Sequence, residues 1–74
     1  MEAAIFKSLG VLPGVPDLLI FERGGLAVEF KATKGRCTKA QEVVQRQLVD
    51  RGWRVEVVRD LETFVSVVSR HLLP

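Results

Sequence analysis

Cysteine is nearly absent from this 74-residue chain, and long apolar runs are missing. Its single cysteine, Cys37, allows no disulfide within the chain and is too few for a cysteine-based zinc or iron-sulfur site. The apolar run at residues 18–21 is far shorter than the roughly 20 residues of a membrane-spanning helix. The first residues also lack the basic-then-apolar pattern of a signal peptide. We therefore expect a cytoplasmic protein.

Internal repeats, low-complexity segments and linkers are missing as well, which favours a single domain over residues 1–74. The chain is 47% hydrophobic, which is high for so small a protein. Such a composition excludes disorder as the main state and predicts a packed core. It also predicts surplus apolar surface that meets a partner, and a homodimer would bury that surface.

The charge is small overall but unevenly distributed. The net charge is +2, whereas residues 31–54 alone carry +5 and the remainder carries −3. A basic stretch of this kind attracts phosphate backbones, although a solvated loop and helix face explains the charge alone equally well. The basic residues of the stretch are Lys31, Lys34, Arg36, Lys39, Arg46, Arg51 and Arg54.

Residues 1–32 predict one helix followed by a β-hairpin. Residues 2–9 have a helix-forming composition, and Gly10 after them suits a helix end. Residues 17–22 are rich in Leu, Ile and Phe, and residues 26–32 alternate between apolar and polar side chains. The Arg-Gly-Gly sequence between these two segments supplies the turn of the hairpin.

The second half of the chain predicts two helices separated by one strand. Thr38 and Gln41 have the spacing of a capping box, which predicts a helix that continues to about residue 52. Residues 53–58 alternate in polarity and predict a strand, after which Asp60 caps a last helix. The right-handed crossover rule places this strand parallel to strand 26–32. We expect an α/β fold with a mixed β-sheet, flanking helices and the order α-β-β-α-β-α.

The best candidates for chemistry lie on the hairpin. Glu29 and Lys31 are two residues apart on a strand, so their side chains leave the same face of the sheet. A surface ion pair is the simpler interpretation of these two residues alone. Asp17 opens the partner strand, and a three-residue loop at 23–25 would place it opposite Lys31 on that face. A two-residue loop would reverse the parity unless a bulge restored it, so the sequence leaves the register open.

Two converging carboxylates are suitable ligands for a hard divalent cation. Asp17 and Glu29 would hold Mg²⁺ or Mn²⁺ through oxygen atoms, and the Phe30 carbonyl between them would supply another ligand. Lys31 beside the metal would polarise a water molecule and offset the charge on a phosphate under attack. The pattern thus favours metal-assisted phosphodiester hydrolysis.

Four separate pieces of the sequence together resemble a known family. GVPDLLI (residues 14–20), VEFK (28–31), a small basic loop and TKAQ (38–41) occur in the order and spacing typical of the virus-type replication-repair nuclease (VRR-NUC) domain of the PD-(D/E)XK nuclease superfamily. The resemblance extends from residue 2 to about residue 72. It implies a restriction-endonuclease-like core. The family usually begins with a helix and a first strand, and we expect this sequence to lack both.

The resemblance also implies roles for four side chains. Asp17 and Glu29 would be metal ligands, Lys31 would be catalytic, and Gln41 would support the site from the following helix. For Gln41 a second interpretation carries equal weight, because the third helical position of a capping box often carries Gln simply to bond the cap residue.

The function implied is a Mg²⁺- or Mn²⁺-dependent nuclease that hydrolyses structured or branched DNA, similar to a homodimeric Holliday-junction resolvase of DNA repair, replication or recombination. We expect Lys34, Arg36 and Lys39 to contact phosphates from the loop and the first helical turn that follow the hairpin. The alternative is a non-catalytic module of the same fold that binds nucleic acid or a partner protein. Metal binding distinguishes the two.

Overall fold

The computed structural model describes residues 13–74 together with the backbone of residues 5–7. These residues form a mixed four-stranded sheet, two α-helices and a short 3-10 turn at Glu22–Gly24. In chain order the elements are β1 (Ile5–Lys7), β2 (Leu18–Ile20), β3 (Leu26–Phe30), α1 (Lys39–Asp50), β4 (Arg54–Val58) and α2 (Leu61–Leu72).

The strands lie side by side in the order β1-β2-β3-β4. β1 and β2 are antiparallel, as are β2 and β3, whereas β3 and β4 are parallel. The parallel pair is the one that the crossover rule predicts, because α1 connects β3 to β4. This connection brings the carboxyl ends of β3 and β4 to the same end of the sheet.

The helix predicted for residues 2–9 is wrong where the structure describes that segment, so the predicted order α-β-β-α-β-α is wrong at its first element. Ile5–Lys7 is a strand, paired with β2 from Ile5 opposite Ile20 to Lys7 opposite Leu18. β2 offers a row of backbone hydrogen-bonding groups on the side away from β3, and pairing with it outweighs a modest helix propensity. The rest of the predicted helix, with Gly10, lies outside the described residues.

Local signals explain where both α-helices begin. The predicted capping box is present in full: Gln41 N–H donates to Thr38 Oγ1, and Thr38 N–H donates to Gln41 Oε1. Asp60 caps α2 by accepting hydrogen bonds from the backbone N–H and the hydroxyl of Thr63, and these bonds lower the pKa of Asp60. Among the described residues, no helix is long and apolar enough to cross a membrane.

The two helices cover opposite faces of the sheet. The apolar side of α2 packs on a core of Ile20, Leu26, Val28 and Val58. α1 lies on the other face, where side chains at alternate positions of β3 and β4 point away from that core. This second face carries Glu29, and the candidate site is therefore built between the sheet and α1.

Trp53 and His71 have structural contacts. Trp53 packs against Gly25, where an added Cβ would approach the indole ring to 2.3 Å, and its ring meets the Phe21 ring edge to face. The buried His71 ring lies with Nε2 2.7 Å from the Glu22 carbonyl oxygen and so joins the end of α2 to the turn before β3.

Candidate active site

The hairpin register places Asp17 next to Glu29. Leu18 pairs with Val28, so one further step along the ladder brings Asp17 opposite Glu29. The three-residue loop that would have set Asp17 opposite Lys31 is wrong, because the 3-10 turn lengthens the connection to residues 21–25. The shift is two residues, and a shift of two keeps the parity of the strand. The two carboxylates therefore share one face, as the three-residue loop also predicts.

The backbone of Phe30 holds the Asp17 carboxylate. Phe30 N–H donates to Asp17 Oδ2 over 2.8 Å. Along a strand, the N–H and C=O of one residue leave on the same side, so the Phe30 carbonyl also faces the Asp17 side of β3. The side chain of Phe30 points to the opposite face and meets the Phe64 ring at a centroid distance of 5.2 Å.

Glu29 is a buried carboxylate with only one of its oxygens paired. Its residue exposure is 3%. Oε1 accepts a hydrogen bond of 2.8 Å from Gln41 Nε2 and lies 3.9 Å from Lys31 Nζ, whereas Oε2 is buried without a partner among the described residues. Burial and the neighbouring Asp17 raise the pKa of Glu29, and Lys31 acts in the opposite direction. A negative charge at this position is thus incompletely compensated by the protein.

Both interpretations of Gln41 agree with the geometry. Its Oε1 accepts from the Thr38 N–H in the capping box, and its Nε2 donates to Glu29 Oε1. A single side chain therefore fixes the first turn of α1 and orients the buried carboxylate. The donor and acceptor ends of the amide make the two functions compatible.

The donor set fits a hard divalent cation. The unpaired Oε2 of Glu29 offers a ligand whose burial without a partner is otherwise costly. Asp17 adds a second carboxylate, and the Phe30 carbonyl supplies a third oxygen on that side of the strand. No cluster of three or more His, Cys, Asp or Glu side chains occurs among residues 13–74. A cation held here would accordingly keep several water ligands, as Mg²⁺ commonly does.

The three cations expected to contact phosphate are all exposed. Lys34 and Arg36 lie in the loop between β3 and α1, and Lys39 is the first residue of α1. This loop follows directly after Lys31, whose side chain is only 16% exposed. The structure thus separates one sheltered lysine beside the carboxylates from three accessible cations on the adjacent surface.

Two residues near the site were missed by sequence reasoning. Gly14 has φ +86°, and a Cβ there would lie 2.4 Å from the Ala40 carbonyl oxygen, so the GVPD segment packs directly on α1. Arg59 Nη1 donates to two carbonyl oxygens of the loop that follows β3 and lies 3.4 Å from a third. The glycine is part of a motif that the sequence analysis used, whereas no local pattern distinguishes Arg59 from other surface cations.

Comparison with protein families gives a match over most of the chain. The family model described as the VRR-NUC domain matches residues 3–60 of the chain. The chain belongs to the VRR-NUC family. The family resemblance inferred from the sequence is therefore confirmed, and membership indicates a nuclease-type function. Searches of curated proteins and of solved structures gave no significant match.

The match includes every residue proposed for the site. GVPD, the EFK triplet of β3 and the first turn of α1 all lie within residues 3–60, as does Arg59. All of α2 lies beyond the matched segment. The family thus accounts for the sheet and α1, which are the elements that hold the site.

Proposed function

We propose that this VRR-NUC protein is an Mg²⁺- or Mn²⁺-dependent endodeoxyribonuclease of the PD-(D/E)XK type. It hydrolyses phosphodiester bonds in structured or branched DNA, as a cytoplasmic enzyme of DNA repair, replication or recombination. The observation that carries the proposal is the buried, unpaired Oε2 of Glu29 beside Asp17. A purely structural glutamate would be expected to have both oxygens satisfied.

Asp17, Glu29 and the Phe30 carbonyl would hold the metal, which when bound polarises a phosphate oxygen and lowers the pKa of a water ligand. The protein's own contribution is to preset the ligands. Phe30 N–H fixes one carboxylate, and Gln41 Nε2 fixes the other. Reactive geometry therefore does not depend on large movements of either carboxylate.

Lys31 has the position required for stabilising charge during hydrolysis. Its ammonium lies on the same face as Glu29 and 3.9 Å from Oε1, too far for a short hydrogen bond. The lysine therefore remains available to hold the attacking water and to offset the charge that develops on the phosphate. Lys34, Arg36 and Lys39 would bind neighbouring phosphates from their exposed positions.

We propose that the enzyme acts as a homodimer. Several large apolar side chains are exposed on the two helices and on β4, namely Val43, Val49, Val57, Leu61 and Val65. A second copy of the chain would cover part of this surface, and two active sites would suit a substrate with two strands to cut. Sedimentation equilibrium at high micromolar concentration should give twice the chain mass, and a folded monomer would contradict the dimer.

A cleavage assay tests the proposed activity. A labelled four-way junction, a matching duplex and a single strand are each incubated with the protein and Mg²⁺ or Mn²⁺, with EDTA as the metal-free control. Cleavage of the junction that requires metal and is abolished in Asp17→Ala supports the proposal. The variant must be folded by circular dichroism.

Two other results would contradict it. Tight junction binding without cleavage in either metal would favour the non-catalytic module. Equal cleavage by wild-type protein and Asp17→Ala would place the activity elsewhere. The matched control is Asp50→Ala, which removes an exposed carboxylate from the end of α1.

A further inference from the structure

Arg59 connects the end of β4 to the loop that follows β3. Its Nη1 donates to the carbonyl oxygens of Ala32 and Gly35, each over 2.7 Å, and lies 3.4 Å from that of Thr33. The loop is closed internally by Gly35 N–H, which donates to the Ala32 oxygen over 2.9 Å. The guanidinium of Arg59 thus binds the carbonyl oxygens at both ends of one turn of the loop.

The position of Arg59 places this contact beside the candidate site. The residue before it, Val58, accepts a hydrogen bond from Lys31 N–H over 3.0 Å, so the carboxyl ends of β3 and β4 are tied together. Arg59, Lys31 and Phe30 also border the same cavity of about 250 Å³. The loop that Arg59 holds is therefore continuous with the lysine assigned to the chemical step.

The guanidinium of Arg59 already donates hydrogen bonds to carbonyl oxygens of the protein. A guanidinium that donates to carbonyl oxygens of one turn directs its positive charge into the loop. It therefore differs from Lys34 and Arg36, whose side chains form no hydrogen bond or ion pair among the described residues. Arg59 is suited to act through the loop, while the two exposed cations are suited to act on a ligand.

The planar trans peptide determines which groups face away from Arg59. In such a unit the C=O and the following N–H point in opposite directions, and the described chain contains no cis peptide bond. The carbonyls of Ala32 and Gly35 point to the guanidinium, so the N–H groups of Thr33 and Arg36 point away from it. Neither N–H donates to a protein acceptor within the described residues.

We propose that Arg59 is a positioning residue that holds residues 32–36 in the shape that binds a nucleic-acid phosphate. The phosphate is bound by the side chains of Lys34 and Arg36 and by the outward N–H groups of the turn. This inference rests on the proposed nuclease function, which supplies the phosphate. The inference goes beyond the proposed function because it assigns the order of the binding loop to Arg59, which follows β4.

The first experiment measures how well ordered the loop is in the absence of nucleic acid. Limited trypsin digestion measures the cleavage rate after Lys34 and Arg36 in wild type, Arg59→Ala, Arg59→Lys and the control Arg70→Ala. Loss of two hydrogen bonds to a charged donor should raise the rate roughly tenfold in both Arg59 variants. Lysine fails because its side chain is shorter, so that its ammonium does not reach the position from which Nη1 donates to both carbonyl oxygens. Arg70→Ala should leave the rate unchanged.

The second experiment is a double-mutant cycle in DNA affinity, measured in EDTA at fixed salt. Arg59→Ala and Arg59→Lys should weaken binding to a similar extent, because the loop shape is lost in both. In the Lys34→Ala/Arg36→Ala background, Arg59→Ala should cause little further loss, since the groups it positions are gone. Thermal unfolding of each variant shows that the fold is retained.

Three results would overturn the proposal. An unchanged trypsin rate in both Arg59 variants would show that the loop keeps its shape without the guanidinium. Wild-type affinity in Arg59→Lys would show that only the charge matters, and strictly additive losses in the cycle would show that Arg59 contacts DNA by itself. If wild-type protein binds no DNA, the proposed function and the phosphate role fail together, while the trypsin rates still decide whether Arg59 orders the loop.

Discussion

The side chain of Gln41 joins the capping box of α1 to the buried carboxylate of Glu29. Its amide oxygen accepts from the Thr38 backbone, and its amide nitrogen donates to Glu29 Oε1 over 2.8 Å. The beginning of α1 and the candidate metal ligand are thereby coupled through one residue. A substitution that changes only one end of the amide can therefore separate its effect on the helix from its effect on Glu29.

Gln41→Glu should preserve the helix while impairing the site. A glutamate can still accept from the Thr38 N–H, but it presents a second negative charge where Glu29 now receives a donor. The pKa of Glu29 should rise further, and Mn²⁺ affinity at neutral pH should fall about 10- to 100-fold.

Circular dichroism and Mn²⁺ titration measure the two effects. Gln47→Glu, at an exposed position of the same helix, is the control. Unchanged affinity would show that Gln41 serves the cap alone.

Lys31→Ala should reduce the chemical step far more than binding. We expect single-turnover cleavage of the junction to slow by about 10²- to 10³-fold, a usual result of removing one preorganised charge-stabilising donor. Affinity for the junction in EDTA should change only a few-fold. Lys34→Ala provides the opposite pattern as a control, since it removes an exposed cation. A Lys31→Ala variant that cuts normally but binds poorly would reassign the lysine to binding.

Replacement of Lys34, Arg36 and Lys39 by Ala together should weaken the salt dependence of duplex DNA binding. Each lost phosphate contact should reduce the magnitude of the negative slope of log K against log salt by about 0.9, so by roughly 2 to 3 units for each subunit engaged. Fluorescence anisotropy over a range of salt concentrations measures the slope. If the triple variant keeps the wild-type slope, these residues form a solvated surface.

Glu29→Gln should stabilise the metal-free protein at neutral pH. Burial and Asp17 raise the pKa of Glu29 in the folded state, so folding favours its protonated form. The wild-type free energy of unfolding should therefore fall as pH rises from the ordinary glutamate pKa through the raised folded value. Above that window the variant should be more stable by about 1 kcal/mol, or roughly 4 to 8 °C in Tm. Below it the difference should disappear.

Thermal unfolding across this pH range makes the comparison, with the exposed Glu42→Gln as the control. Saturating Mg²⁺ should raise the Tm of wild type but leave Glu29→Gln unchanged, because the metal binds only the ionised carboxylate. A less stable Glu29→Gln variant at neutral pH would mean that the charge is well compensated within the protein.

The sequence predicts most of the fold wherever the signal is local. The Thr38 capping box, the Asp60 cap and the alternation in β3 and β4 need only neighbouring residues, and the structure agrees with each of them. The failure at residues 5–7 has the opposite origin. That segment is a strand because β2 lies beside it, and a partner distant in sequence cannot be inferred from local composition.

The sequence predicts which residues form the candidate site, but only part of how they are arranged. The spacing of Glu29 and Lys31 determines that they share a face, whereas the position of Asp17 depends on a left-handed turn at Arg23 that the sequence does not mark. The role of Arg59 depends on a contact spanning 27 residues, between Arg59 and Ala32. Long-range contacts made by ordinary surface residues leave no pattern in the sequence.

Mn²⁺ binding to the wild-type protein and to Asp17→Ala, followed by electron paramagnetic resonance of the free ion, tests the central claim most directly. The account predicts one saturable site per chain in the wild type, lost on replacement of Asp17 and weakened as pH falls through the pKa of Glu29. Asp50→Ala should bind as the wild type does. Equal Mn²⁺ binding by wild type and a folded Asp17→Ala variant would contradict the assignment of this carboxylate pair as the metal site.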